Sequence, residues 1–330
     1  MAAVSLTGIQ PSGKPHLGNY LGAIRPALAL AEAHDAFYFI ADEHALTTVR
    51  ERDKLRQQTY DVAATWLALG LDAERVTFYR QSDIPEVFEL AWILSCVTAK
   101  GLLNRGHAYK DAVAANERAG RPPDEGVTAG VFNYPVLMAA DILLFDADVV
   151  PVGPDNEQHL EIARDVVQAF NRSYGEVLHL PTGVVAETKV TGLDGRMMHK
   201  SYGNVIPIFA TADEQRKLVM RIVTDSRPPD EPKDPETCNV FSIYRHVAAP
   251  HDVEAMDKRY RAGDVGYGEA KERLADTLEE LLAGPRARYE ELLADPGRLD
   301  AVLAAGAERA CPHARATLDR VKRAVGLTAV

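Results

Sequence analysis

Short apolar runs that alternate with segments of helical periodicity predict an α/β protein, with a parallel sheet covered by helices on both faces and a mainly α-helical C-terminal domain. Three observations carry this. The chain opens with strand, tight loop and helix in the order expected of a βα unit; continuous apolar runs recur at Phe37–Ile40, Val76–Tyr79 and Val149–Val152; and beyond Ile208 strand-like runs stop and helical spacing takes over. With 330 residues, 46% of them hydrophobic and 26% charged, the chain has material for one large or two ordinary domains.

Val4 and Leu6 lead into the first loop as a buried strand, and Gly8, Pro11, Gly13 and Pro15 then break regular structure before an alanine-rich helical stretch from Asn19 to Ala33. Such a junction aims the free N–H groups of a helix N-terminus at an anion above the strand end. Gly8, Gly18 and Gly22 clear space for a close approach, while Lys14, His16 and Asn19 supply donors to phosphate oxygens.

Phe37–Ile40 reads as a strand buried on both faces, ending in Asp42, Glu43 and His44 where open α/β sheets place their ligands. Leu55, Thr59, Val62, Trp66 and Leu69 then mark an amphipathic helix with a glycine stop at Gly70. After the Val76–Tyr79 strand, Asp83 and Glu86 are spaced as a capping box around Pro85, and Arg80–Asp83 reads as exposed loop on spacing alone. The polar stretch from Lys110 to Gly126 reads as a surface excursion. Between Val131 and Phe145, Tyr134, Met138 and Asp141 fall on one helix face, lining up a phenol, a thioether and a carboxylate. A carboxylate among such apolar neighbours needs a partner.

Val149–Gly153 predicts the next strand, with Asp155, Gln158 and His159 opening a helix. A glycine-marked turn at Gly192–Gly195 precedes Arg196-Met197-Met198-His199-Lys200-Ser201, and the segment from Arg309 to Arg323 concentrates basic residues suited to phosphate contact. The net charge of −11 argues against a general polyanion binder, so an RNA partner must be met by a local basic surface. Cys96, Cys238 and Cys311 are scattered and odd in number, which argues against a disulfide framework or zinc site. No apolar run approaches the ~20 residues that span a bilayer, and composition fits a cytoplasmic protein.

Gly8-Ile-Gln-Pro-Ser-Gly followed by His16-Leu-Gly-Asn-Tyr-Leu-Gly-Ala resembles the N-terminal signature of the tryptophanyl-tRNA synthetases, with His16–Asn19 in the place of the class I synthetase "HIGH" motif. The resemblance implies a Rossmann-like catalytic domain over residues 1–203. It also implies a helical, anticodon-reading region over 204–330, its last helix packing back on the catalytic domain. Asn133–Leu144 is similar to the family's tryptophan-specificity helix, so that Asp141 accepts the indole N–H, Met138 packs on the indole plane and Tyr134 holds the amino acid. By the same resemblance Gly8, His44, Val152 and Asn156 complete the tryptophan site. Gln10, Pro11, Ser12, Gly18, Asn19, Gly153, Asp155, Met198, Lys200 and Ser201 then bind ATP. The loop resembles the class I "KMSKS" segment, except that Met197 stands for its first lysine and His199 for its first serine, and Asn156 is shorter than the family's usual residue.

The implied activity is tryptophan–tRNA ligation: ATP with Mg²⁺ activates L-tryptophan, and the tryptophanyl group passes to tRNA(Trp). His16, Asn19, Lys200 and Arg196 are the implied catalytic groups, Arg196 replacing the missing lysine. No resident metal or prosthetic group is expected, and a homodimer is implied. Two alternatives stand beside this: a related adenylyltransferase, and an auxiliary or non-catalytic paralogue that binds tryptophan and ATP.

Overall fold

The computed structural model describes residues 2–152, 157–185 and 190–327. Five strands, β1 (Val4–Ile9), β2 (Asp35–Ile40), β3 (Thr77–Arg80), β4 (Val149–Val152) and β5 (Thr182–Val185), form one parallel sheet in the order β3-β2-β1-β4-β5. The order reverses between β1 and β4, and that switch leaves a crevice beyond the carboxyl ends of the strands. The sheet is the doubly covered, Rossmann-like one expected; β5 is an addition, its Thr-Gly-Val-Val run too short and glycine-interrupted to stand out in the sequence.

Alternation along the strands sorts the core into two layers. Phe37 and Phe39 face a cluster built with the helices Glu86–Ser95, Ala129–Leu143 and Glu157–Tyr174, while Tyr38, Ile40 and Phe78 face one built with Arg52–Ala68. From Thr59 to Ala68 that last helix is buried all round. The amphipathic pattern expected gives way there, because Tyr289, Leu292, Leu299 and Leu303 of the C-terminal helices cover its outer side. A third cluster joins Leu17 and Leu21 to Ile206, Ile208, Val219, Phe241 and Leu278, so the first helical turn after β1 shares a core with the helical region.

Three local expectations need correction. Asp83 does not cap the next helix: it accepts from Arg80 Nε at 2.9 Å, and the helix starts after Pro85 without a side-chain cap. Much of the 110–126 stretch is helix His107–Arg118, after which buried Asn116 holds the returning chain through the carbonyls of Pro123 (2.9 Å) and Glu125 (2.8 Å). Arg309, Arg315, Arg320 and Lys322 do not form a free phosphate surface. Arg309 donates to the Ala73 and Val76 carbonyls, Arg315 pairs with Glu86, Arg320 with Asp146 and Lys322 with Glu89, tying the helix Pro296–Val325 to the sheet layer.

This last helix lies so close to β3 that a Cβ on Gly306 would stand 1.7 Å from the Phe78 carbonyl oxygen. Only glycine permits the approach. Gly306→Ala is expected to destabilise the fold by about 2–3 kcal/mol, as overpacking against immovable backbone does, and chemical denaturation of the variant checks it; an unchanged midpoint would mean that the helix shifts at no cost.

Candidate active site

The loop after β1 is held from two sides. With its amide oriented so that both ends find partners, Gln58 donates to Pro11 O at 2.9 Å and accepts from Gly13 N at 3.2 Å. From the other side Lys200 Nζ donates to Ser12 O at 3.3 Å and to Gly13 O at 2.9 Å. Gln10 points back toward His44, its Nε2 3.4 Å from the His44 carbonyl. Gly8 leaves room for the Phe39 ring, which lies where a Cβ would be. At the helix start Asn19 Oδ1 accepts from His16 N at 3.0 Å, while Leu17 N donates to Ile206 O and Ile208 N to Pro15 O, so the 206–208 strap clasps the turn.

His16 is buried, and its Nδ1 has no hydrogen-bond partner among the described residues. Burial first, then the Lys200 and His199 charges, push its pKa down to about 4. The imidazole is therefore neutral at pH 7 and meets a ligand as a hydrogen-bonding group, whereas burial lowers Lys200 too, with Asp61 opposing.

The segment 190–204 is a folded unit centred on Asn204. This buried amide donates to Asp194 Oδ1 at 2.7 Å and Met197 O at 3.1 Å, and accepts from His199 N at 2.8 Å. His199 braces the turn locally, its Nδ1 accepting from Ser201 N at 3.3 Å and lying 2.8 Å from Ser201 Oγ. Met198 packs against the helix start, where Gly18 N donates to its Sδ at 3.3 Å. Arg196 is exposed and turned toward its own loop in this arrangement. Asp194 holds its guanidinium at 2.6 and 2.7 Å, and the Tyr202 ring lies beneath it at 4.4 Å; Met197 beside it is exposed.

Across the crevice the helix Ala129–Leu143 presents Asp141, which is almost wholly buried. Its carboxylate is taken by two strand-end residues: His44 Nε2 lies 2.9 Å from Oδ2, and Gln81 Nε2 donates to Oδ1 at 2.8 Å and Oδ2 at 2.9 Å. Burial raises the Asp141 pKa, and the His44 and Gln81 bonds oppose it. Tyr134 lies against the His44 ring at 4.3 Å between centroids and Met138 is half-buried on the same core. Val152 closes β4, but its side chain, with Gly153, Asp155 and Asn156, lies outside the described residues.

The structure thus gathers His16, Gly18, Asn19, Met198, Lys200 and Ser201 at one end of the crevice and His44, Tyr134 and Asp141 at the other. On spacing alone Gln81 reads as exposed loop but is fully buried, and sequence reasoning missed Gln58, which holds the backbone of Pro11 and Gly13, and Asn204, which holds Asp194, Met197 and His199 of its own loop. Because His16 titrates near 4 when folded and near 6.5 when unfolded, the unfolded chain binds more protons between those values. The associated stability is complete above pH 6.5 and lost on descending through pH 4, about 3 kcal/mol in all. Denaturation of His16→Gln against the parent at pH 7 and pH 4 is expected to show the variant losing less stability on acidification; equal losses would contradict the buried neutral imidazole.

The family of class I tRNA synthetases for tryptophan and tyrosine (W and Y) matches residues 2–283. A tryptophan–tRNA ligase of Pseudomonas aeruginosa is 50% identical over 329 residues, 98% of this chain and 73% of the relative; one of Neisseria meningitidis is 49% identical over 98% of this chain and 97% of the relative. The crystal structure of Campylobacter jejuni tryptophanyl-tRNA synthetase, complexed with ADP and tryptophan, superposes with a TM-score of 0.87 at 42% identity, covering 98% of this chain and 99% of that one. The likeness runs over nearly the whole chain in sequence and in fold, and the chain belongs to the tryptophan–tRNA ligases of the class I tRNA synthetases.

Proposed function

We infer that the protein activates L-tryptophan with ATP to tryptophanyl-adenylate and pyrophosphate, and transfers the tryptophanyl group to tRNA(Trp). The observation that carries the reading is the buried Asp141 carboxylate at the crevice, in a chain half-identical to known tryptophan–tRNA ligases. An indole nitrogen only donates and an ionised carboxylate only accepts, so the two are matched. Met138 and Tyr134 flank the indole, with Gly8, His44, Val152 and Asn156 around it.

The substrate carboxylate attacks the α-phosphate itself, so the protein's part is positioning and neutralising charge on the leaving pyrophosphate. Lys200 exchanges its two carbonyl partners for phosphate oxygens, and neutral His16, held through Asn19, hydrogen-bonds the phosphates. Gln10, Pro11, Ser12, Gly18, Gly153, Asp155, Met198 and Ser201 frame the nucleotide. Among the described residues no group of three or more His, Cys, Asp or Glu side chains is placed to hold a metal, and Mg²⁺ enters with the triphosphate as part of the substrate.

Residues 1–203 form the catalytic domain and 204–330 the tRNA-reading region, with its last helix on the catalytic layer. The functional unit is a homodimer, for which Trp92, 71% exposed on the helix Glu86–Ser95, supplies an apolar anchor. No described helix is long and apolar enough to cross a membrane, in keeping with work in the cytoplasm.

The altered loop favours one second reading, a paralogue that binds tryptophan and ATP without turnover. Pre-steady-state adenylate formation separates the two. Lys200→Ala is expected to slow it about 10²–10³-fold, the usual worth of a preorganised group facing developing charge, and Arg196→Ala less than tenfold, since Asp194 already holds that guanidinium. Met197→Lys leaves the rate unchanged or raises it. No adenylate from the parent at any pH would favour the binding protein. In ATP–pyrophosphate exchange Asp141→Ala is expected to cost about 1–3 kcal/mol of discrimination between tryptophan and tyrosine; equal exchange of both by the parent would sink the assignment.

A further inference from the structure

The geometry points to Gln81 as the residue that sets amino-acid specificity by positioning the Asp141 carboxylate, a role that rests on Asp141 being the indole acceptor. Gln81 is fully buried, and both ends of its amide are spent at this site: Nε2 spans the two oxygens of Asp141 at 2.8 and 2.9 Å, and Oε1 accepts from His44 N at 3.3 Å. A single amide thus orients the carboxylate and fixes the backbone of the residue whose ring makes the other contact to Oδ2.

The backbone that carries Gln81 is itself clamped on both sides. Preceding it, Arg80 is bound by Asp83 at 2.9 Å and Asp300 at 3.0 Å. Following it, Ser82 donates from N and Oγ to the two oxygens of Asp42, which opens the short helix bearing His44. The amide is therefore aimed from a rigid strand end, as a group that must hold a substrate acceptor to a fraction of an ångström has to be.

Without Gln81, Oδ1 loses its one partner among the described residues and Oδ2 keeps, among them, His44, so the carboxylate turns about its χ2 and presents no fixed acceptor. The loss also removes bonds that favour the ionised form against burial. A protonated Asp141 is a poorer acceptor for an indole N–H, and the acid limb of tryptophan activation then moves to higher pH. Packing alone predicts neither effect, because a filler residue supports every amino acid that enters the pocket equally.

The test compares ATP–pyrophosphate exchange on L-tryptophan with that on 3-benzothienyl-L-alanine, an isostere with sulfur in place of the indole N–H, in the parent, Gln81→Met and Asp141→Ala. Gln81→Met is expected to narrow the preference for tryptophan about tenfold, mostly through kcat/KM for tryptophan, and to shift the acid limb upward. Gln81→Asn, which keeps the amide but withdraws it by one methylene, gives the same result and serves if the Met variant does not fold. A collapsed preference in Asp141→Ala with an unchanged ratio and unchanged acid limb in both Gln81 variants overturns the positioning role alone. An unchanged ratio in Asp141→Ala overturns the indole-acceptor reading, and the role of Gln81 with it.

Discussion

A buried carboxylate imposes more on this molecule than any other single group. Asp141 projects from a helix that covers one face of the sheet, where an ionised oxygen without hydrogen bonds would be prohibitively costly. The fold meets the requirement from the ends of two neighbouring strands, with His44 after β2 and Gln81 after β3. Their convergence fixes the depth of the helix against the strand ends, and so the floor of the crevice.

The opposite wall follows a complementary rule. There the chain gathers donors and cations rather than acceptors, and it gives several of them internal partners. Lys200 rests on loop carbonyls, Gly18 N on the Met198 thioether, and Leu17 N on the strap. These partners are weak or replaceable next to phosphate oxygens, which suits a site that must take up and release a polyanion in every turnover. Departures at Met197 and His199 fit the same frame. His199 keeps the local turn through its ring nitrogen, whereas Met197 carries no charge and Lys200 is the loop cation bonded to the turn.

The C-terminal helices bind the two walls into one body. The Pro296–Val325 helix spends Arg309, Arg315, Arg320 and Lys322 on carbonyls and carboxylates of the sheet layer, and Gly306 lets it reach the backbone of β3. Tyr289, one helix earlier, donates to buried Asp61 at 2.8 Å and stacks on Phe209 of the segment after the strap.

What the sequence determined alone is whatever depends on near neighbours. The glycine and proline breaks after Leu6, the helical spacing of Tyr134, Met138 and Asp141, and the apolar strands of a doubly covered sheet are local patterns, and each is present in the structure. Only the tertiary structure decided the rest: that Gln81 is buried rather than in an exposed loop, that Gln58 braces the nucleotide turn, that His16 is uncharged, and that Arg309, Arg315, Arg320 and Lys322 are clamps. The reason is separation along the chain. Gln81 meets a carboxylate 60 residues away and His44 meets it across 97, Lys200 finds its carbonyls across 187 and 188, and Arg315 reaches Glu86 across 229. Hydrogen bonds of that range leave no periodicity in the sequence, because the partners are brought together by strand order and helix packing and by nothing in their own surroundings.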